Sequence, residues 1–188
     1  MPAGQFEKWF DLSCHRAGLT GVVRSIRTRV QRSDAQLGIS YRLDGDVGRI
    51  RIPALREPII GRELWRHTCF EAFIRIEGAA AYHEFNFAPS REWTVYGFSG
   101  YRNGAPLNDE SMNPQIAVRS DSSHLELDAV IQLARLSASH PGAALRLGLA
   151  AVIETRDGLS FWALHHPADK PDFHNPESFA MRLDPQAE

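Results

Sequence analysis

The stretch LWRHTCFEAFIRIEG, Leu64 to Gly78, has two different faces. Its even positions Phe70, Ala72, Ile74 and Ile76 are apolar. Its odd positions Trp65, His67, Cys69, Glu71 and Phe73 mix aromatic, imidazole, thiol and carboxylate groups. Side chains alternate across a strand, so the two sets point opposite ways. The even set predicts a core face. The odd set predicts a face that carries chemistry.

The same rhythm runs outward in both directions. Downstream, YHEFNFA sets Phe85 and Phe87 with His83, opposite Tyr82, Glu84 and Asn86. EWTVYGF sets Trp93 and Val95 opposite Glu92, Thr94 and Tyr96. Upstream, GVVRSIRTRVQRS alternates, and AQLGISYRLDGDVGRIRIPAL reads as a hairpin turning at DGDVG, with Ile50 and Ile52 resuming the pattern. REPIIGREL reads as a connector and NGAPLNDESMNPQ as a loop. HLELDAVIQL is a strand, LARLSASHPGA a turn, and ALRLGLAAVIETRDGLSFWALHHP a hairpin closed at TRDG. FAMRL reads as a last short strand after the irregular HHPADKPDFHNPES. About nine to eleven strands without a long helical period predict an all-β fold, an antiparallel β-sandwich. Residues 1–18 read as an irregular or briefly helical lead-in, and 19–188 as one domain.

The 188 residues suffice for one domain with a substantial core. A hydrophobic content of 43% and a charged content of 23% are ordinary for a soluble globular chain. A net charge of -2 makes no electrostatic case for nucleic acid or an anionic membrane as partner. No apolar run approaches the roughly 20 residues that span a bilayer. The stretch MPAGQFEKWFDLSCHRAG lacks the apolar segment of a secretory signal, which predicts a cytoplasmic protein. Cys14 and Cys69 make no disulfide framework and are expected as free thiols.

If the strands are antiparallel neighbours, one sheet face carries Trp65, His67, Glu71, Tyr82, Glu84, Asn86 and Tyr96. Rings beside carboxylates and amides suit a sugar. The apolar face of a pyranose stacks on a ring, and its hydroxyls need paired donors and acceptors. The same residues also suit a solvated sheet face with aromatic cross-strand pairs.

LWRHTCFEAFIRIEGAAAYHEFNFAPSREWTVYGFSGYR, together with GLSFWALHHPADKPDFHNPESFAMRL, resembles the DOMON-like proteins related to family 9 carbohydrate-binding modules. The resemblance runs from about residue 20 to 183 and is to the cytoplasmic-type subgroup. It implies an immunoglobulin-like β-sandwich whose relatives bind sugars or haem. Family 9 modules clamp a terminal sugar between two tryptophans, with acidic, amide and arginine groups on its hydroxyls. Trp65 and Glu71 resemble the tryptophan and strand glutamate of that site. Asn86, in FNFAPS, resembles the asparagine that ends the next strand. The C-terminal loop, where the second tryptophan belongs, has none, so Phe173, His166 or His174 would take its place. The resulting expectation is non-catalytic binding of a small saccharide or related polar metabolite. Trp65 stacks, Glu71 and Asn86 take hydroxyls, Tyr96 widens the floor, and Arg91 and Phe173 contribute from loops. No cofactor and no metal is expected.

Four other readings stay open. A haem would need a pair of axial ligands from His67, His83 and His165, since Met1, Met112 and Met181 do not stand out as ligands. His165, His166, Asp172 and His174 share one loop and have the chemistry of a divalent-metal site, without a standard spacing. Cys69 beside His67 and Glu71 suggests a nucleophile with its base, but a regular row along one strand is too spread for a triad. Lastly, an aromatic-rich face serves equally as a docking surface for a protein partner or a homodimer.

Overall fold

A computed structural model of the chain describes residues 8–18, 21–33 and 35–185. Twelve strands are present among these residues, joined by short 3-10 turns and loops. They are β1 (Phe10–Cys14), β2 (Val23–Arg32), β3 (Gln36–Gly45), β4 (Cys69–Ile76), β5 (Tyr82–Phe87) and β6 (Trp93–Gly100). Then follow β7 (Asn103–Pro106), β8 (Gln115–Ser120), β9 (His124–Gln132), β10 (Leu145–Thr155), β11 (Gly158–Ala163) and β12 (Met181–Leu183).

The strands run in the order β7-β6-β5-β4-β10-β11-β1-β2-β3-β9-β8, with β12 beside β10, and named neighbours pair antiparallel. The path folds over at β1. Its start pairs with β2 and its end with β11, so one short strand hinges two layers. Between the layers lies the main core. Leu37, Ile39, Tyr41 and Leu43 of β3 and Leu125, Leu127 and Ala129 of β9 come from one side. Phe70, Ala72, Ile74, Phe85 and Phe87 come from the other. The period-two patterns put these residues inside, because one face of each strand must leave water. The Tyr41 hydroxyl crosses the core and donates to the Glu71 carbonyl at 2.7 Å.

The two outer faces differ. On the β3–β9–β8 layer, Arg42, Glu126, Arg119 and Asp128 form a solvated ion-pair ladder. The outer face of β4 and β5 is itself buried: Cys69, Glu71, Phe73, Glu84 and Asn86 are all nearly inaccessible. The segment from His165 to Ala180 lies over part of it. Phe73, Tyr82 and Phe179 form a second apolar cluster there, with Phe98 and Phe173 packed against it. Gly148 of β10 permits this close cover, since a Cβ there would lie 3.1 Å from the Ser178 carbonyl oxygen.

Four expectations need correction, and one strand is added. The lead-in is neither irregular nor helical over Phe10–Cys14, which forms β1 by pairing on both sides; residues 1–7 lie outside the described residues. The hairpin expected at DGDVG is absent. Val47–Arg49 is a 3-10 turn, β3 pairs with β2 and β9, and Ile50 makes a single bridge to Thr155. The strand from Leu64 begins only at Cys69, because Leu64–Arg66 is a 3-10 turn entered through Glu63 in the left-handed region (φ 49). NGAPLNDESMNPQ contains β7, an exposed edge strand. IAVRS, unassigned from sequence, lies within β8.

Candidate functional site

The buried outer face ends in an open cleft of about 360 Å³. Its floor is the diagonal pair Glu71 and Glu84. In the β4–β5 register Glu71 faces Asn86 and Phe73 faces Glu84, so both carboxylates project from the same face. Its walls are aromatic: Trp65, Tyr96, Phe98, Phe161 and Phe173. Arg102, Pro171 and His174 form the rim on the loop side.

Each wall has a local cause. Tyr96 and Phe98 stand two apart on β6 and so share a face, as Glu84 and Asn86 do on β5. The Tyr96 ring approaches Phe98 at 6.2 Å, and Phe98 stacks on Tyr82 at 4.7 Å with the planes nearly parallel. Trp65 reaches the cleft from the 3-10 turn before β4. It is 43% exposed and carries the Arg66 guanidinium 5.0 Å from its ring centroid. Phe173 comes from the C-terminal segment and packs on Phe73 at 6.4 Å.

That segment is fastened by a polar network. Asp172 accepts from the Tyr101 hydroxyl at 2.6 Å and from Arg102 Nη2 at 2.7 Å. The Arg102 backbone N–H donates to the Tyr82 hydroxyl at 3.2 Å, and that hydroxyl lies 2.9 Å from His174 Nδ1. His174 Nε2 faces Glu84 Oε2 at 3.6 Å. Burial, followed by the Arg102 charge, holds His174 down to about 4, so it is neutral near pH 7.

The two floor carboxyls differ in their support. Asn86 donates to Glu84 Oε1 at 2.6 Å. Burial still pushes Glu84 up to about 7, against the pull of that hydrogen bond and of Arg102. Glu71 is 3% exposed, and its carboxylate accepts no hydrogen bond from any described side chain. Burial first, then the Glu84 charge, hold it well above the usual carboxylate range. Both carboxyls are therefore biased toward the protonated form. With one of them protonated, the pair offers one donor and several acceptor lone pairs at the foot of an aromatic slot.

Trp65, Glu71, Tyr96 and Phe173 line this cleft together. Asn86 does not. It is fully buried beneath the floor, holding Glu84 and accepting from the Cys69 thiol at 3.5 Å. Arg91 lies elsewhere, on the turn after β5 with φ 73, and reaches toward Glu57 at 3.9 Å. Glu84, Phe98, Arg102 and Phe161 were not singled out as binding residues from sequence. The alternation already put Glu84 on this face, whereas Arg102 comes from the β6–β7 turn and Phe161 is brought in by the pairing of β11 to β10 and of β10 to β4.

The competing constellations do not assemble. His67 Nδ1 pairs with Glu154 at 2.8 Å, away from Cys69, whose thiol is fully buried and pushed up by burial. His83 packs edge-on against His140. His166 engages the Ser13 carbonyl, Asp172 holds Arg102 and His174 meets Tyr82. Among the described residues no three His, Cys, Asp or Glu side chains gather as a metal site. Both cysteines are free thiols.

No protein-family model and no curated protein matches the chain. Solved structures match its fold. A candidate carbohydrate-binding protein from Bacteroides uniformis superimposes with a TM-score of 0.69 at 15% identity, over 90% of this chain and 83% of that one. A family 9 carbohydrate-binding module from Caldicellulosiruptor kristjanssonii, in complex with glucose, has a TM-score of 0.58 at 10% identity, over 96% and 85%. A family 9 module of the same organism in complex with cellotriose gives 0.58 at 10% identity, over 96% and 84%. At such identity the shared property is the fold, and this chain has the β-sandwich of family 9 modules.

Proposed function

We propose that the cleft binds a small saccharide without catalysing its conversion. One observation carries this reading: Glu71, 3% exposed, opens its carboxyl into the foot of an aromatic slot, where no described side chain donates to it. A buried polar group in that state is costly unless something outside the chain completes it. Vicinal hydroxyls on a ring with an apolar face complete it well. The ring slides between Trp65 and the Phe173 side, Tyr96 and Phe98 line its edge, and Glu71 and Glu84 take the hydroxyls. Asn86 acts beneath them as a positioning residue. The solved complexes of family 9 modules with glucose and cellotriose support the ligand class. We group the chain with the DOMON-like relatives of these modules on the sequence resemblance, with a soluble cytoplasmic saccharide as ligand.

The test is a titration of the protein with mono- and disaccharides, read by intrinsic fluorescence and by calorimetry, with Glu71→Ala alongside. Saturable binding that the variant loses supports the reading. No response across the panel, from a protein that melts cooperatively, overturns it.

A further inference from the structure

We infer that the ligand of this cleft carries an ammonium group. Given the saccharide reading on which this rests, that ligand is an amino sugar. The inference comes from charge that the protein leaves unbalanced. Glu71 and Glu84 are 3% and 4% exposed and stand diagonally on adjacent strands. Among the described residues lining the cleft, Arg102 is the one permanent cation, and Asp172 engages it at 2.7 Å. Arg66, over the Trp65 ring, is paired with Glu63 at 3.0 Å. His174, the remaining basic group on the lining, is held neutral by burial and by Arg102.

Two buried carboxyls whose one lining cation, Arg102, is already engaged by Asp172 are unfavourable as carboxylates, because desolvation and mutual repulsion act together. Without ligand a proton relieves this. An ammonium group relieves it better, since it supplies a full charge and three donors to acceptors already aimed at it. The walls agree. Trp65, Tyr96 and Phe98 line the cleft with aromatic rings, which attract a cation as well as the apolar face of a sugar ring. A neutral sugar uses only the second property. An ammonium favours the ionised form of the raised carboxyls, so its binding displaces protons from them to buffer.

Calorimetry with D-glucosamine, D-glucose, N-acetyl-D-glucosamine, D-glucuronate and tetramethylammonium tests this at neutral pH, in two buffers of different ionisation enthalpy. D-glucosamine is expected to bind at least about tenfold more tightly than D-glucose, with a buffer-dependent enthalpy that reports proton release. N-acetylation should abolish the advantage, and D-glucuronate should bind weakest of the sugars. The Glu71→Gln/Glu84→Gln double variant should lose the glucosamine preference. The wild-type ranking decides the matter even if that variant does not fold. D-glucose binding as tightly as D-glucosamine overturns the ammonium inference and leaves saccharide binding intact. Tetramethylammonium binding where no sugar binds supports the ammonium and overturns the saccharide. Binding of none of the five overturns both.

Discussion

The Tyr82 hydroxyl lies 2.9 Å from His174 Nδ1 and joins the β5 face to the segment that covers it. The same hydroxyl accepts the Arg102 backbone N–H at 3.2 Å, so one oxygen ties three parts of the chain together. Tyr82→Phe keeps the ring that stacks on Phe98 and removes only this junction. A loss of about 1–2 kcal/mol is expected, since a partly buried donor and acceptor lose their partner. Urea denaturation measures it. Hydrogen exchange should quicken over residues 171–175, and unchanged exchange there would show that the junction does not hold the segment.

Stability should depend on pH through two opposing sets of groups. His174 and His140 are both depressed from 6.5 to about 4 by burial. Each adds stability that is full above 6.5 and is lost as the pH falls toward about 4. Glu84 has the opposite sign. Raised from 4.5 to about 7, it adds stability that is full below 4.5 and is lost as the pH rises through about 7. Glu71 shifts in the same direction as Glu84. Between 4.5 and 6.5 the two trends offset each other. The Glu71→Gln/Glu84→Gln variant should therefore lose more stability than wild type when the pH drops across that window. Parallel urea midpoints for the two proteins would refute the assignment.

Much of the site was legible because strands β4 to β6 alternate cleanly. Glu71, Glu84 and Tyr96 fall on one face by counting in twos, and the register then brings them together. Trp65 was also assigned to that cleft, but for the wrong local reason. It is delivered by a 3-10 turn, and a period-two count cannot distinguish that turn from two more strand residues. Arg91 follows the Asn86 strand, yet it does not line the cleft and reaches toward Glu57 at 3.9 Å instead. Arg102 and Asp172 were out of reach of any local pattern, being 70 residues apart in sequence. β7 was equally hidden. Its four residues are all exposed, so no apolar face marks it as a strand.

Trp65 should affect binding far more than folding. At 43% exposure it contributes little to the core, so Trp65→Ala should change stability by no more than about 0.5 kcal/mol. Saccharide affinity should fall by at least about tenfold, the scale of a lost ring stack. Trp93 and Trp162 are buried, at 2% and 5%, and lie in the core, and Trp9 packs under Arg27 and Arg29 of β2 rather than in the cleft. The fluorescence change on ligand binding should therefore vanish in Trp65→Phe. A change that persists in that variant would move the ligand away from this wall.

Gly148 tests whether the cover on the outer face builds the cleft. A Cβ at this position would sit 3.1 Å from the Ser178 carbonyl oxygen and 3.4 Å from the Phe73 Cβ. Valine is otherwise favoured in a strand, so local preference works against any loss. Gly148→Val should nevertheless cost about 1–3 kcal/mol, because the added methyls force the Pro176–Ser178 turn off the sheet. Gly148→Ala should cost less, since one carbon asks only a small shift of the turn. Phe173 and His174 lie just before that turn and should move with it, so saccharide binding should weaken in the order wild type, Gly148→Ala, Gly148→Val. Paired measurement of urea midpoint and affinity decides the point. If Gly148→Val is destabilised but binds like wild type, the cleft does not depend on its cover, and the Phe173 wall is incidental to recognition.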